Sequence, residues 1–260
     1  MSEAKLRVER DAAIGRLVLS NPARRNAISG AMWQAIPAAV AEFEADAAIR
    51  CIVVRGEGEE AFAAGADISE FEARRSSERD VAQYDAQIEA AHVAIESCAK
   101  PVIAQIYGFC IGGGLAIALS CDLRYAASNS RFAIPAARLG LGYGARGINR
   151  LVATVGHANA REILFSARRY DAQEALAMGL VNRVLPDAEL NRYVGELTRG
   201  LAENAPLTQT AAKTTINAII ASHGDFTEAN RMIARCMQSE DYAEGRRAFM
   251  EKRAPQFRGK

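Results

Sequence analysis

The chain has 260 residues, half of them hydrophobic, which is enough for one large domain with a substantial core. Its formal net charge of +1 excludes a global field that favours nucleic acid or a membrane surface. Five cysteines without paired CxxC spacing predict buried free thiols in a reducing compartment, and three histidines without ligand spacing predict no metal site. The charged N-terminus lacks a signal-peptide core and the apolar runs are too short for a bilayer, so we expect a cytoplasmic protein.

Strands and helices are predicted to alternate over the first half of the chain. The predicted strands are short apolar runs at residues 6–9, 15–19, 51–55 and 102–106, the first two forming a hairpin. Ser29 is expected to cap a helix through about Ala45, which Pro37 either kinks or divides. Residues 81–98 have helical periodicity, and the charged stretch 70–80 before them predicts a solvated loop or lid.

The predicted alternation of strands and helices continues into the second half of the chain. Further short strands are predicted at residues 123–126, 131–134 and 181–184. A helix is predicted over residues 157–165, and Asp171 is expected to cap another over residues 172–178. Strands that alternate with helices in this way predict an α/β fold with a repeated ββα unit.

The last part of the chain changes character. From Asp187 onward the pattern is almost entirely helical, with breaks at residues 204–206 and 222–225. Amphipathic helices appended to an α/β core often form subunit contacts. We therefore predict two regions, a core over residues 1–195 and a helical region over residues 196–260.

One segment, VIAQIYGFCIGGGLAIALSCD at residues 102–122, carries the first sign of chemistry. A strand ends in the glycines Gly112, Gly113 and Gly114, and an apolar helix follows. Such a junction presents free backbone N–H groups at the positive end of a helix dipole, which favours negative charge. A glycine triplet also permits close packing of a helix on a strand, and alone it favours that simpler interpretation.

A second small-residue loop strengthens the chemical interpretation. The sequence AFAAGAD at residues 61–67 follows the strand 51–55 and a glycine-rich turn. Two such loops can each supply one N–H group to the same oxygen atom. The pattern therefore predicts an enzyme that stabilises an oxyanion or enolate with rigid donors.

Several motifs in a fixed order resemble the crotonase (enoyl-CoA hydratase/isomerase) family over nearly the whole chain. The matching segments are NP at 21–22, NAIS at 26–29, AFAAGAD at 61–67, KPVIAQIYGFCIGGG at 100–114, SCD at 120–122, PAARLGLG at 135–142, AQEALAMGLVNRVLP at 172–186 and SEDYAEGRRAFMEKRAPQF at 239–257. The resemblance implies a spiral core of ββα units and C-terminal helices that form homotrimers or hexamers. It also implies an acyl-CoA thioester substrate, with coenzyme A as part of the substrate and no separate cofactor.

The resemblance also implies site residues. The N–H groups of Ala66 and Gly113 match the family's oxyanion hole, which holds the thioester oxygen as an enolate forms. The positions that match coenzyme A contacts are Arg25, Ala27, Ala64, Ala66, Asp67, Ile68, Gly112, Phe249 and Lys252. Arg24 lies in the same segment as Arg25, and guanidinium groups bind phosphate well, although a solvated turn is the simpler interpretation of the pair.

The chain departs from the family pattern at the acid and base. Hydratases of the family use two glutamates for water addition, and here the matching positions are Ala116 and Ala136. Positioned acids and bases contribute ~10²–10⁴-fold to such reactions. The two-glutamate route to hydration is therefore not supported by the sequence, whereas the oxyanion hole does not depend on these carboxylates.

Tyr143 offers one alternative chemistry. Related decarboxylases of malonyl-type CoA esters carry a tyrosine in a similar stretch, and loss of CO₂ gives an enolate without a base. Those relatives carry histidine where this chain has Ala66, and Tyr143 can equally be a packing residue. Arg138 and Arg146 either bind a substrate carboxylate or pair with an acid at an interface.

Three functions therefore remain open from the sequence. The leading prediction is an acyl-CoA enzyme working through an enolate, nominally by hydration of a 2-enoyl-CoA. The others are decarboxylation of a malonyl-type acyl-CoA and non-catalytic binding of acyl-CoA. His92 is expected to be a packed or interfacial helix residue and Asp122 a structural one, and the neutral charge argues against RNA binding.

Overall fold

Two β-sheets form the frame of the molecule in the computed structural model, which describes residues 4–67, 78–221 and 227–260. The strands are β1 (Lys5–Asp11), β2 (Ile14–Ser20), β3 (Cys51–Gly56), β4 (Ala61–Ala63), β5 (Val102–Ile106), β6 (Phe109–Ile111), β7 (Leu123–Ala127), β8 (Arg131–Ala133), β9 (Tyr170–Asp171) and β10 (Arg183–Leu185). The larger sheet has the order β1-β2-β3-β5-β7-β10 and the smaller one β4-β6-β8-β9. Consecutive strands such as β3 and β4, or β5 and β6, thus enter different sheets, as a ββα repeat requires.

Helices cover the sheets and make up the C-terminal part. They are α1 (Gly30–Ala45), α2 (Glu78–Ser97), α3 (Gly113–Ser120), α4 (Ala145–Ser166), α5 (Ala172–Ala177), α6 (Asp187–Glu203), α7 (Pro206–Ile220), α8 (Thr227–Met237) and α9 (Glu240–Glu251). Short 3₁₀ helices span Pro22–Arg24 and Pro135–Leu139. None of the described helices is long and apolar enough to cross a membrane.

Strand pairing confirms the predicted α/β fold. β1 and β2 form the antiparallel hairpin, whereas β2, β3, β5, β7 and β10 pair in parallel. In the smaller sheet β4, β6 and β8 are parallel and only β9 runs the other way. Because strands of a parallel sheet are covered on both faces, they are apolar along their length, and every residue of β5 is buried.

Local capping explains where two of the predicted helices begin. The Ser29 side chain accepts a hydrogen bond from the Met32 N–H at 3.3 Å, and α1 continues through Pro37 without ending. At α5 the Asp171 carboxylate accepts from the Glu174 N–H, and the Glu174 carboxylate accepts from the Asp171 N–H, each at 2.9 Å. This reciprocal capping box confirms the prediction for Asp171.

One predicted helix is confirmed but incomplete, and two other predicted elements differ from the structure. The helix predicted over residues 157–165 is the part of α4 after Gly156, whose φ of +72° interrupts the helix, and the part of α4 from Ala145 to Gly156 was not predicted. The last strand begins two residues later than predicted, at Arg183. Of the predicted lid 70–80, residues 78–80 belong to α2 and the remainder lies outside the described residues.

The core fills both faces of the larger sheet. Its largest fully buried side chains include Trp33, Phe43, Phe62 and Phe132. Four cysteines are buried free thiols and Cys236 is half-buried, in line with the predicted thiols. Residue 195, the predicted end of the core region, lies inside α6, and the division into two regions stays a prediction.

Candidate active site

The two small-residue loops meet at the ends of neighbouring strands. β4 and β6 lie side by side in the smaller sheet, and residues 64–67 and Gly112 follow directly after them. A methyl group at Gly114 would lie 2.4 Å from the Ala63 carbonyl oxygen, so only glycine fits there. Gly112 has a φ of +52° and donates its N–H to the Ala133 carbonyl at 2.8 Å. The close-packing interpretation of the triplet is therefore correct for Gly114.

Two backbone N–H groups lie close together at this point. A methyl group at Gly113 would lie 3.3 Å from the Ala66 nitrogen, which places the two backbones in near contact. Within residues 4–67, 78–221 and 227–260, neither the Ala66 N–H nor the Gly113 N–H donates a hydrogen bond. Gly113 is also the first residue of α3, where the helix dipole adds positive potential. This arrangement can bind one oxygen that carries negative charge.

Backbone pairing with the segment after β2 explains why the Ala66 N–H has no partner among the described residues. The Ile28 N–H donates to the Gly65 carbonyl at 2.8 Å, and the Asp67 N–H donates to the Ile28 carbonyl at 2.9 Å. In this parallel bridge the residues on either side of Ala66 face Ile28, so the Ala66 N–H points to the opposite side. Gly65 permits the turn with a φ of +112°.

Side-chain hydrogen bonds also fix the loop of residues 64–67 and the turn beside it. Asp67 is nearly buried and its carboxylate accepts a hydrogen bond from Arg24 at 2.7 Å. Asn26 donates to the carbonyls of Glu57 and Ala61 at 2.9 and 2.8 Å, which fixes the adjoining turn. These contacts support a structural role for Asp67 and Arg24, since each joins the loop to the segment beside it.

The remaining predicted coenzyme A contacts divide into two groups. Arg25, Ala27, Ala64 and Gly112 lie around the loop of Ala66, and the Arg25 carbonyl accepts from the Ala64 N–H at 2.9 Å. The Arg25 guanidinium pairs with Glu60 at 2.9 Å and covers the Phe109 ring at 4.7 Å. Ile68 lies outside the described residues. The other group is remote in sequence: Phe249 belongs to α9, and Lys252 follows α9 as an exposed residue with a φ of +53°.

The two alanines occupy buried positions at the site. Ala116 lies one turn after Gly113 on α3 and is 8% exposed, and Ala136 lies in the 3₁₀ helix and is 6% exposed. Pro135, next to Ala136, would contact a methyl group at Gly112 at 4.0 Å, which brings this turn to the glycine loop. At both positions the side chain is a buried methyl group, which cannot donate or accept a proton.

Tyr143 is half-buried just before α4. Its ring lies against Gly147, where a methyl group would come within 2.8 Å of Cε1. Burial raises the pKa of Tyr143 to about 12, so the phenol is neutral at pH 7. Its hydroxyl makes no hydrogen bond to any residue in the described part of the chain. Both the packing role and a hydrogen bond to a substrate group are therefore compatible with its position.

Arg150, which no sequence pattern indicated, forms two ion pairs with a neighbouring helix. Arg150 on α4 is almost buried and pairs with Glu89 at 2.6 Å and with Glu96, both on α2. Burial alone would raise the pKa of Glu89, and the hydrogen bonds from Arg150 outweigh it and lower that pKa. Arg146 is exposed and reaches the same Glu89 at 3.2 Å, whereas Arg138 is exposed and makes no ion pair with a described residue.

His92 is buried as expected, and it contacts the helix that begins at Gly113. Its Nδ1 lies 3.0 Å from the hydroxyl of Ser120, the last residue of α3. Burial, and next the charge of Arg150, lower the pKa of His92 to about 4. The imidazole also packs edge-to-face against Trp33, whose importance no local sequence pattern reveals.

Comparison with known proteins gives a consistent result. A family model described as enoyl-CoA hydratase/isomerase matches residues 9–260. The short-chain-enoyl-CoA hydratase of Clostridium acetobutylicum is 33% identical over 95% of this chain and 94% of its own length, and the crotonyl-CoA hydratase of Syntrophomonas wolfei is 31% identical over 99% of each. A crystal structure of an enoyl-CoA hydratase/carnithine racemase from Magnetospirillum magneticum superposes with a TM-score of 0.95 at 34% identity, covering 100% of this chain and 97% of that one.

Proposed function

Because this chain belongs to the enoyl-CoA hydratase/isomerase family, we propose that it acts on an acyl-CoA thioester and holds the thioester oxygen between the N–H groups of Ala66 and Gly113. The observation that carries the proposal is the proximity of these two donors, neither of which has a partner among the described residues. The thioester carbonyl becomes an enolate when a bond to the α- or β-carbon changes. Donors that are fixed before this charge appears lower its energy without reorganisation.

The proposal includes the coenzyme A contacts. Arg25 and Lys252 would bind phosphate, which guanidinium and ammonium groups recognise. Ala64 and Ala66 leave room for the backbone to approach the thioester, and Ile68 and Phe249 would line its path. Coenzyme A enters as part of the substrate, so no further cofactor is proposed.

The proposed assembly is a homotrimer or hexamer in which C-terminal residues reach a neighbouring subunit's coenzyme A. Three large apolar side chains of α7, Ile216, Ile219 and Ile220, are exposed on the isolated chain, which supports a subunit contact on this face. Light scattering after size exclusion tests the assembly, and a monomer would contradict it.

The nominal reaction is addition of water to a 2-enoyl-CoA, as the names of the relatives indicate. In this chain Ala116 and Ala136 cannot exchange protons with water or with the α-carbon. Loss of a positioned acid or base usually costs ~10²–10⁴-fold. We therefore expect hydration to be slow unless another group replaces the two carboxylates.

Decarboxylation of a malonyl-type acyl-CoA is a second candidate, and the two alanines favour it. The bond between the α-carbon and the carboxylate breaks, CO₂ leaves, and the electron pair forms the enolate, which then takes a proton from water. No base is required, and the neutral Tyr143 phenol can donate a hydrogen bond to the substrate carboxylate. The oxyanion donors have the same role as in hydration.

Mass spectrometry of a mixed acyl-CoA panel in heavy water tests these functions. The purified protein is incubated with enoyl, hydroxyacyl, malonyl and methylmalonyl esters. A mass gain of one heavy water on an enoyl ester establishes hydration, and loss of CO₂ with deuterium at the α-carbon establishes decarboxylation. Tight binding with no turnover of any ester would contradict the proposed enzyme and favour a non-catalytic acyl-CoA-binding protein.

A further inference from the structure

Trp33 lies directly behind the oxyanion donors. A methyl group at Gly113 would lie 3.2 Å from Cζ2 of its indole and 3.3 Å from the Ala66 nitrogen. The side chain is fully buried, and its Nε1–H donates to no residue in the described part of the chain. No hydrogen bond among these residues therefore fixes the indole, and its position depends on the groups packed against it.

His92 is one of those groups. The imidazole and indole rings are 5.4 Å apart with an interplanar angle of 61°, an edge-to-face contact that aromatic rings favour. His92 is 3% exposed, so water does not compete for its ring nitrogens. Any displacement of the imidazole therefore changes the packing around Trp33, and the Trp33 indole in turn lies against Gly113.

The same imidazole also contacts the other end of α3. Its Nδ1 is 3.0 Å from the Ser120 hydroxyl, and that hydroxyl donates to the Ala116 carbonyl at 3.1 Å. Since Ser120 has one proton and uses it for Ala116, the hydrogen-bond pattern assigns the donor role to His92 Nδ1. The helix α3 has only eight residues, so its position comes from such tertiary contacts rather than from its own stability.

We propose that His92 is a positioning residue for the oxyanion hole, which holds α3 at Ser120 and supports Gly113 through Trp33. This inference rests on the proposed function, because it concerns the site where the thioester oxygen would bind. His92 does not touch the substrate and takes no proton from it. Its effect arises because displacing a donor by a fraction of an ångström weakens binding of the developing charge.

Infrared spectroscopy of a bound thioester carbonyl tests this role directly. The probe is acetyl-CoA labelled with ¹³C at the carbonyl carbon, and a shift of its C=O stretch to lower frequency reports polarisation by the two donors. His92→Phe keeps an aromatic ring against Trp33 and removes the hydrogen bond to Ser120. Ser120→Ala removes the same bond from the other side and serves if the first variant folds poorly.

The matched control is Ser130→Ala. Ser130 is also fully buried and donates to a backbone carbonyl, that of Ile106 at 3.1 Å, but it lies after β7 and has no hydrogen bond to His92. We expect both test variants to lose much of the carbonyl shift, while Ser130→Ala keeps it. Affinity for free coenzyme A, which lacks the thioester carbonyl, should remain unchanged in all three.

The outcomes separate the two hypotheses. If the test variants keep the full carbonyl shift and lose only stability, as Ser130→Ala does, His92 is a structural residue and the inference is wrong. If the unmodified protein binds the labelled ester with no shift at all, the proposed function is wrong and this inference is wrong with it. A reduced carbonyl shift in both variants, with no further reduction in the double variant, supports the inference that His92 and Ser120 act through one shared hydrogen bond.

Discussion

Gly113 gives the sharpest test at the scale of a single residue. Gly113→Pro removes the backbone N–H that is proposed to bind the thioester oxygen, and proline is tolerated at the first residue of a helix. We expect kcat on the ester identified by the panel to fall by ~10²–10³-fold, the usual loss for one oxyanion donor.

The control for this prediction is Gly113→Ala. Alanine adds the same β-carbon, which meets Trp33 at 3.2 Å, but it keeps the N–H group. Steady-state kinetics should place the alanine variant between the proline variant and the unmodified protein. Equal losses in the two variants would show that crowding, rather than the missing donor, is responsible.

Replacing Ala116 and Ala136 with glutamate is predicted to give a gain of function. Ala116→Glu with Ala136→Glu restores two carboxylates at the positions that the hydratase pattern requires. We expect hydration of a 2-enoyl-CoA to rise by ~10²-fold or more, and stability to fall because both positions are buried. The matched variant carries Gln at both positions, and a similar rise in that variant would exclude proton transfer as the cause.

His92 predicts how stability depends on pH. Its pKa is about 4 in the folded protein and about 6.5 in the unfolded chain, so the folded state favours the neutral ring. The corresponding stability is fully present above pH 6.5 and is lost as pH falls toward 4. From pH 7 to pH 5 the loss is about 2 kcal/mol.

Urea denaturation at these two pH values, in the unmodified protein and in His92→Phe, checks the prediction. The charged groups that act on His92 are Arg150 and Glu89, and both remain in the variant. The unfolding free energy of the unmodified protein minus that of His92→Phe should therefore be about 2 kcal/mol lower at pH 5 than at pH 7. An unchanged difference would mean that His92 does not titrate on unfolding.

At the scale of elements, Arg150 joins α4 to α2. Arg150→Met leaves Glu89 and Glu96 without their half-buried partner, and we expect unfolding free energy to fall by about 2 kcal/mol. Arg146→Met is the matched control, because Arg146 reaches the same Glu89 but is 72% exposed, and it should cost less than about 0.5 kcal/mol. Thermal denaturation that ranks the two variants equally would contradict the assigned role of Arg150.

The elements also show what the sequence could predict. Strands, capping residues and glycine loops were predictable because each depends on a few adjacent residues, such as Asp171 with Glu174 or Gly112 through Gly114. The start of α4 was missed, since Ala145 follows a glycine-rich segment with no capping side chain. Trp33, His92 and Ser120 are far apart in the chain, and no local pattern indicates that α1, α2 and α3 bring them together.

At the scale of the whole molecule, the C-terminal segment is tied back onto α9. The buried Asp241 carboxylate accepts hydrogen bonds from the N–H groups of Arg258 and Gly259 at 2.6 and 2.7 Å. Asp241→Ala should release the tail, because two backbone donors lose their charged partner. Limited trypsin digestion should then cut after Arg258 and Lys252 faster, whereas the exposed neighbour variant Glu240→Ala should digest at the original rate.

The neighbouring positions of β4 and β6 have a consequence for how such a protein can change. Ala66 and Gly113 each follow one of these two paired strands, and hydrogen-bonded strands lie about 4.8 Å apart, so the sheet brings the two loops side by side. Side-chain packing, such as that of Trp33 against Gly113, acts on the loops that the strands have brought together. Positions 116 and 136 lie outside both strands, so their side chains can be exchanged and the reaction altered while this strand pairing is inherited unchanged.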